Sequence, residues 1–315
     1  MPVWVTKDGN SYRQFSYEID IKSKIDWEKA DYKKWLETDI LPLLSERESA
    51  FEYLIDLERT EKVELGEADV DVLEAGYLTR RITDVVENAF MAFSLANEFM
   101  GVLSKFKDKE KLGENSGFVI QEIVNKLEHE KSEQEQQIFD GLIKNKKLSL
   151  IISSDENIGY IIPRQSEVYP DSYEPFSKNI FEKSDKLSMN QLELKVADLI
   201  DRNENVLWWV RNIAEDKRWY SVRGWKKGKI RPDFIAAKKN KSGSLDLVYI
   251  IESKGEHLVD NPNTSYKKKV FDKINNEKVE DIGVRLIKFK ANKEFSFELV
   301  EEGKEELKIS TFFNT

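Results

Sequence analysis

Residues 229–255 of the chain read KIRPDFIAAKKNKSGSLDLVYIIESKG, and two strand-like runs in this stretch flank a Ser242-Gly243 pair that is typical of a hairpin turn. If these two residues form the turn, directly opposed residues have numbers that sum to 485, so Asp233 faces Glu252. Lys254 follows Glu252 by two residues and therefore shares its face of the strand. The spacing predicts that two carboxylates and a lysine meet at one end of a hairpin.

This group of charged side chains has a definite chemical use. Two neighbouring carboxylates in an otherwise apolar hairpin are costly unless they are protonated or neutralised by a cation. Mg²⁺ (or Mn²⁺) satisfies them when it is held by carboxylates, water and a substrate phosphate, and it lowers the pKa of bound water. Lys254 can orient or deprotonate the attacking water, or pair with the scissile phosphate. Asp233, Glu252 and Lys254 are therefore candidate catalytic residues, with Mg²⁺ or Mn²⁺ as the expected cofactor.

The composition excludes several other chemistries. The 315 residues include no cysteine and two histidines, which rules out thiolate zinc sites, cysteine nucleophiles and multi-histidine metal sites. His129 stands among acidic residues and is expected on a helix surface. Apolar runs are a few residues long, against the ~20 that a membrane-spanning helix needs, and the first ten residues lack a signal-peptide pattern. We therefore expect a cytoplasmic protein without a membrane partner.

Charge is distributed unevenly along the chain. The net charge of −9 divides into −13 over residues 1–180 and +4 over residues 181–315. Between Arg211 and Arg231 there are eight basic residues and two acidic ones, with aromatic residues interleaved. Such a segment, which leads directly into the candidate active site, favours phosphate binding. The candidate nucleic-acid-binding residues are Arg211, Arg223, Lys226, Lys227, Lys229, Arg231, His257, Lys267 and Lys268.

The first half of the chain reads as a mostly α-helical accessory module, residues 1–180. It opens with alternating strands over residues 3–21 and ends with a predicted hairpin over residues 147–164. Residues 165–184 are rich in proline, serine, tyrosine and aspartate and are typical of a linker. The pattern therefore places a domain boundary between residues 180 and 181.

The second half, residues 181–315, follows the order helix, several strands, helix, strand. Strands are predicted over residues 206–211, 219–225, 229–237, 245–253, 284–290 and 295–300. Ser188 and Gln191 have the spacing of a capping box, which predicts the start of the first helix. Trp208 and Trp209 are both expected in the core on residue-type grounds. The whole chain is therefore expected to be an α+β protein, in which a helical N-terminal module with small β elements precedes an α/β domain.

Pro232-Asp233 followed by Glu252-Ser253-Lys254 resembles the PD-(D/E)xK nuclease superfamily. The segments NQLELKVADLID, WWVRN, GWKKGKIRPDFIA, IIESKGEHL and NTSYKKK, over about residues 189–269, look like the C-terminal endonuclease region of type III restriction Res subunits and related phage-defence helicases. The resemblance implies a restriction-endonuclease-like core with a mixed central sheet. It also implies a metal site formed by Asp233, Glu252 and the Ser253 carbonyl. Such relatives carry another acid on the first core helix, where Glu193 stands, as a catalytic or metal-supporting residue.

The activity that the resemblance implies is Mg²⁺-dependent hydrolysis of DNA in a restriction or anti-phage defence system. The chain has no GxxxxGK[ST] phosphate loop of the kind that its helicase relatives carry, so the expected partners besides DNA are a separate helicase or ATPase subunit, or a second copy in a homodimer. Two alternatives stay open. One is a repair or RNA nuclease on the same fold, and the other is a helicase-associated DNA-binding or assembly module with a degenerate nuclease site.

Overall fold

The computed structural model describes residues 1–9, 11–47, 74–163, 176–181, 189–213, 218–259, 261–284 and 295–314. The strands are β1 (Val3–Asp8), β2 (Ser11–Gln14), β3 (Leu148–Ser153), β4 (Val206–Arg211), β5 (Val222–Arg223), β6 (Lys229–Ile230), β7 (Phe234–Lys239), β8 (Leu245–Lys254), β9 (Val279–Ile282) and β10 (Phe295–Glu301). The α-helices are α1 (Tyr17–Asp20), α2 (Tyr32–Trp35), α3 (Leu41–Glu46), α4 (Ala75–Thr83), α5 (Ala89–Leu103), α6 (Lys109–Glu114), α7 (Ser116–Lys144), α8 (Gln191–Arg202), α9 (Pro262–Asn276) and α10 (Glu305–Asn314). Short 3-10 turns at Lys22–Lys24 and Glu256–Leu258 and a π-helical turn at Leu36–Ile40 complete the helical elements.

This α+β chain divides into two compact units. One combines Met1–Ile21 with Phe139–Thr315, and the other is Lys22–Ile138. The boundary predicted between residues 180 and 181 lies inside the first unit, and most of the predicted linker lies outside the described residues. The first unit is discontinuous because β1 pairs with β3, which joins segments more than 140 residues apart.

The unit Lys22–Ile138 is helical, and its core is built from apolar side chains at helical spacing. Leu95 and Phe99 of α5 and Ile123 and Leu127 of α7 are buried. Apolar residues on one helical face, Ile120, Ile123, Val124 and Leu127, predict a helix over residues 118–142, which is confirmed as α7, Ser116–Lys144. Among the described residues, no helix combines the length and apolarity that a membrane span requires.

The predicted hairpin over residues 147–164 is wrong beyond its first strand. β3 pairs with β1 in antiparallel fashion and with β9 in parallel fashion, in a sheet with the order β2-β1-β3-β9. Residues 158–163 form no strand. The chain turns tightly after Ser153, where the Gly159 N–H donates to the Asp155 carbonyl at 2.7 Å. β3 therefore pairs with two strands that are distant in sequence, and not with a neighbouring return strand.

The central sheet of the first unit has the order β10-β8-β7-β4. It is mixed, because β8 runs parallel to β10 and antiparallel to β7. The predicted register is confirmed from Phe234 to Lys238, since Phe234 pairs with Ile251 and Ile235 with Ile250, so that their numbers sum to 485. It shifts by one residue at Lys239, which pairs with Leu245, so the predicted two-residue turn at Ser242-Gly243 is wrong and the turn spans residues 240–244. Gly243 has φ +80° in the turn, a conformation that glycine adopts at little cost.

Two strands predicted for the second half are shorter or interrupted in the structure, and the chain ends in a helix that was not predicted. Of the predicted strand over residues 219–225, only β5 is a strand, and the predicted strand over residues 229–237 is interrupted before Asp233. The strand predicted at residues 284–290 lies outside the described residues except for its first position. The C-terminal helix α10, absent from the prediction, buries Phe312 and Phe313 against the sheet beside Tyr249.

Candidate active site

The end of the β7–β8 hairpin brings the predicted acidic residues together. Asp233 lies directly before β7, and its N–H donates to the Ile251 carbonyl at 2.8 Å. Glu252, Ser253 and Lys254 are the last three residues of β8. The Ser253 N–H and hydroxyl both donate to Asp233 Oδ2 at 2.6 Å. Ser253 was predicted as a ligand through its carbonyl, and the structure shows that its side chain also holds the Asp233 carboxylate in place.

Glu252 is the most buried charged group of this cluster, with 1% of the residue exposed. Its Oε1 accepts a hydrogen bond from Lys254 Nζ at 2.6 Å and a second one from Lys267 Nζ. Its Oε2 is buried and has no hydrogen-bond partner among the described residues. One carboxylate oxygen is therefore shared by two ammonium groups, while the other is left unsatisfied inside the protein.

The surroundings of Asp233 disfavour its ionised form. Burial raises the pKa of Asp233 most, and the Glu252 carboxylate raises it further, to about 7, against the opposing effect of the Ser253 donors. Burial alone would lower the pKa of Lys254, but the Glu252 and Asp233 carboxylates outweigh it and the pKa is raised. Lys254 is therefore cationic at neutral pH, whereas Asp233 is about half protonated when no other cation is near.

A small divalent cation suits these residues. The unsatisfied Glu252 Oε2 is an acceptor without a donor, and burying such a group is costly. Burial raises the pKa of Asp233 most and the Glu252 carboxylate raises it further, so a bound cation would favour the ionised form of Asp233. Hard oxygen ligands of this kind are the ones that Mg²⁺ accepts, usually together with water and substrate phosphate. Asp233 and Glu252 are thus able to hold a metal.

Glu193 lies in the first turn of α8 and has two structural partners. Its Oε2 accepts hydrogen bonds from Arg211 at 2.9 Å and from the Asn190 N–H at 3.2 Å. The capping box is therefore formed by Asn190 and Glu193, and the predicted pair Ser188 and Gln191 is wrong, because the helix begins at Gln191. The charge of Glu193 contributes to the raised pKa of Asp233, so it is felt at the hairpin end.

The other side of the cluster is held by Arg211, the last residue of β4, and by Asn212, which follows it. Arg211, predicted to bind nucleic acid, forms the ion pair with Glu193, and its side chain is 12% exposed. The Asn212 side-chain amide donates to the Pro232 carbonyl at 2.7 Å, and the Asn212 backbone N–H donates to the Asp233 carbonyl at 2.7 Å. Asn212 therefore holds the backbone that carries Asp233. The sequence analysis missed this role, because an asparagine after a strand has no distinguishing spacing.

The other basic residues divide between two places. Lys267, on α9, reaches Glu252, whereas its neighbour Lys268 pairs with Glu301 Oε1 at 2.8 Å. The residues predicted from the β5–β6 region are exposed or half-buried around that short hairpin: Arg223, Lys226, Lys227, Lys229 and Arg231. A cavity of about 800 Å³ opens beside them, with Arg218, Arg223 and Lys229 in its lining.

The two histidines lie outside the cluster of carboxylates. His257 is exposed just after Lys254, with its ring against Gly255, where an added Cβ would lie 3.1 Å from His257 Cε1. His129 is exposed on α7, as predicted, and its Nε2 lies 3.7 Å from Glu133 Oε1. Glu130 completes this surface group of possible ligands. These side chains lie close together because residues three and four positions apart are neighbours on the surface of a helix.

The two tryptophans of β4 differ in their surroundings. Trp209 is buried at 0% exposure between Phe176 and Phe234, and its indole N–H donates to Asp201 Oδ1 at 2.8 Å. Trp208 is half-buried. The prediction that both lie in the core is therefore confirmed for Trp209, and Trp208 occupies the other face of the strand, because side chains alternate.

Comparisons of the chain with protein-family models, with curated proteins and with solved structures found no match.

Proposed function

We propose that the chain is a Mg²⁺- or Mn²⁺-dependent endonuclease that hydrolyses phosphodiester bonds of DNA. The observation that carries this proposal is the meeting of Asp233, Glu252 and Lys254 at one end of a hairpin, with a buried Glu252 oxygen that lacks a partner. Metal-dependent hydrolysis of a phosphodiester uses acids that bind the cation and a group that acts on water or phosphate. These residues supply both.

The arrangement of elements around the site supports a restriction-endonuclease-like core. Helix α8 precedes the hairpin, which bears the acidic residues, and α9 and β10 follow it in the order that the resemblance implies. The mixed sheet β10-β8-β7-β4 presents the end of β8 at the site. Since no known structure matches the chain, this assignment rests on element order and on the residues of the hairpin.

Each residue has a distinct proposed role. Asp233 and Glu252 would hold the metal with help from the Ser253 carbonyl. A bound ion supplies Lewis acidity and lowers the pKa of its water. Lys254, cationic and next to Glu252, would orient the attacking water or neutralise charge on the scissile phosphate. Glu193 would steady the site through Arg211, because its carboxylate is already engaged there.

The cavity beside β5 and β6 is the proposed path for the substrate. Lys229 precedes Asp233 by four residues, so the two Cα atoms lie within about 14 Å at full extension. Arg218, Arg223 and Lys229 carry positive charge in the lining of the cavity. A nucleic-acid strand that passes the hairpin end would therefore reach cations suited to its phosphates. DNA is the proposed partner, and the resemblance of residues 189–269 favours a restriction or anti-phage defence setting, with a motor as a separate subunit.

The test is cleavage of supercoiled plasmid with Mg²⁺ or Mn²⁺ and without metal. Wild type is expected to nick or linearise the plasmid only with metal, and Lys254→Ala to lose cleavage by at least about a hundredfold, as for loss of a general acid–base group. Lys241→Ala is the matched control, because Lys241 is exposed at the opposite end of the same hairpin. It should cleave as wild type does.

The outcomes separate nuclease from binding module. If wild type cuts neither DNA nor RNA, alone or with a cognate motor and ATP, the nuclease proposal fails. Equal cleavage by Lys254→Ala refutes the role of the hairpin site. DNA affinity that is unaffected by EDTA, without any cleavage, would instead identify a DNA-binding module.

A further inference from the structure

We propose that Lys267 is a substrate-binding residue that couples metal binding to substrate binding at the proposed nuclease site, on whose function this inference rests. In the substrate-free protein its ammonium group neutralises Glu252. When metal and substrate are both present, the same group is released to a substrate phosphate. The sequence predicted only a nucleic-acid contact for this lysine.

The first observation is the sharing of one oxygen. Lys254 and Lys267 both donate to Glu252 Oε1, although they come from different elements, β8 and α9. Their side chains are 18% and 15% exposed, and that of Glu252 is 2% exposed. Two cations on one buried oxygen repel each other, and a divalent cation that binds Glu252 would compete with both of them.

The second observation is the balance of charge. Asp233 and Glu252 carry at most two negative charges, and Lys254 and Lys267 carry two positive ones. The adjacent Glu193–Arg211 pair is neutral by itself. A divalent cation added to this set leaves a surplus of positive charge in a poorly hydrated place, where charges interact more strongly than in water. A phosphodiester group carries one negative charge and therefore halves this surplus, so metal and substrate should each strengthen the binding of the other.

The geometry decides which lysine exchanges partners. Lys254 lies two residues from Glu252 on the same face of the same strand, so the fold keeps it beside the carboxylate. Lys267 reaches Glu252 from the second turn of a separate helix. Its flexible four-carbon stem and rotatable donors allow the ammonium group to leave Oε1 without moving the backbone. Lys267 is therefore the residue that transfers to phosphate.

The experiment is calorimetric titration of Mn²⁺ into wild type, Lys267→Met and Lys269→Met, with and without a phosphorothioate DNA duplex that resists cleavage. Lys269 is exposed on the same helix and serves as the control. Without duplex, Lys267→Met is expected to bind Mn²⁺ roughly tenfold or more tightly than wild type, because a competing cation has been removed. With duplex, wild type is expected to gain Mn²⁺ affinity, and Lys267→Met to gain clearly less.

A lysine that merely stabilises the fold would not strengthen metal binding when it is removed. Circular dichroism melting checks that each variant is folded, and Lys267→Gln, which retains a polar side chain, should change Mn²⁺ affinity in the same direction as Lys267→Met. Unchanged or weaker Mn²⁺ binding by the two Lys267 variants, or an undiminished effect of the duplex, overturns the inference. Wild type that binds no Mn²⁺ under either condition overturns the proposed metal-dependent function as well, and this pattern is recognisable because wild type itself fails.

Discussion

Replacement of Glu252 by glutamine tests the electrostatics of the site in the metal-free protein. The substitution keeps the size of the side chain and removes the charge that both lysines contact. Loss of one partner of a buried ion pair typically costs about 3–5 kcal/mol, because the remaining charge is left unpaired. Two features reduce this cost here. Lys254 and Lys267 keep some solvent exposure, and the removed charge no longer opposes ionisation of Asp233.

We therefore expect Glu252→Gln to lower the free energy of unfolding by about 2 kcal/mol at pH 7.5 in EDTA, as measured by urea denaturation. Lys267→Met in the Glu252→Gln background should recover part of the loss, because one of the two unpaired ammonium groups is then absent. Glu256→Gln, at an exposed position just after the strand, is the control and should stay within about 0.5 kcal/mol of wild type. Equal stability of Glu252→Gln and wild type would refute the reasoning, since it would mean that the lysines gain nothing from this carboxylate.

Three further predictions concern pH and packing. The pKa of Asp233 is raised to about 7 from an unfolded value of about 3.9, so its ionisation opposes folding, and stability in EDTA should fall as pH rises from about 4 to 7. Asp233→Asn should remove this fall in urea denaturation across that range, and an unchanged pH profile would contradict the assignment. Burial would raise the pKa of Asp201, but hydrogen bonds from Trp209, Ser177 and Lys178 outweigh it and hold the pKa below its ordinary value. Its contribution is present above the unfolded pKa and lost as pH falls through the folded one, so Asp201→Asn should lose about 1–3 kcal/mol at pH 7 and less at pH 3. Gly224→Ala would place a Cβ 2.4 Å from the Val270 side chain, and overpacking of this kind should lower stability by about 1–3 kcal/mol in thermal unfolding, whereas Gly228→Ala, with open space around it, should not.

Much of the hairpin was predictable because its rules are local. Register in a two-stranded hairpin follows from the turn position and the alternation of side chains, and both are visible in residues 229–255. The same logic succeeded for α7, whose apolar face repeats over many turns. It failed for the predicted return strand after β3. The two edges of β3 pair with β1 and β9, and the sequence of β3 does not indicate which strands its partners are.

The candidate site shows the same division in its side chains. The sequence predicted that Asp233, Glu252 and Lys254 share one end of the hairpin, and the structure places Lys254 Nζ 2.6 Å from Glu252. The participation of Lys267 required α9, which packs against β10, to bring this lysine to Glu252, and that of Asn212 required β4 to lie next to β7. Neither contact has a fixed sequence spacing.

The sequence by itself thus determined the acid–acid–lysine grouping, the hairpin register and the concentration of positive charge before the hairpin. The tertiary structure alone decided that Lys267 shares Glu252 with Lys254, that Arg211 pairs with Glu193, and that one oxygen of Glu252 is buried without a partner. The physical reason is the distance along the sequence over which each interaction acts. Turn geometry and side-chain alternation act over a few residues, whereas burial, ion pairing and pKa shifts depend on which distant elements the packing of the core brings together.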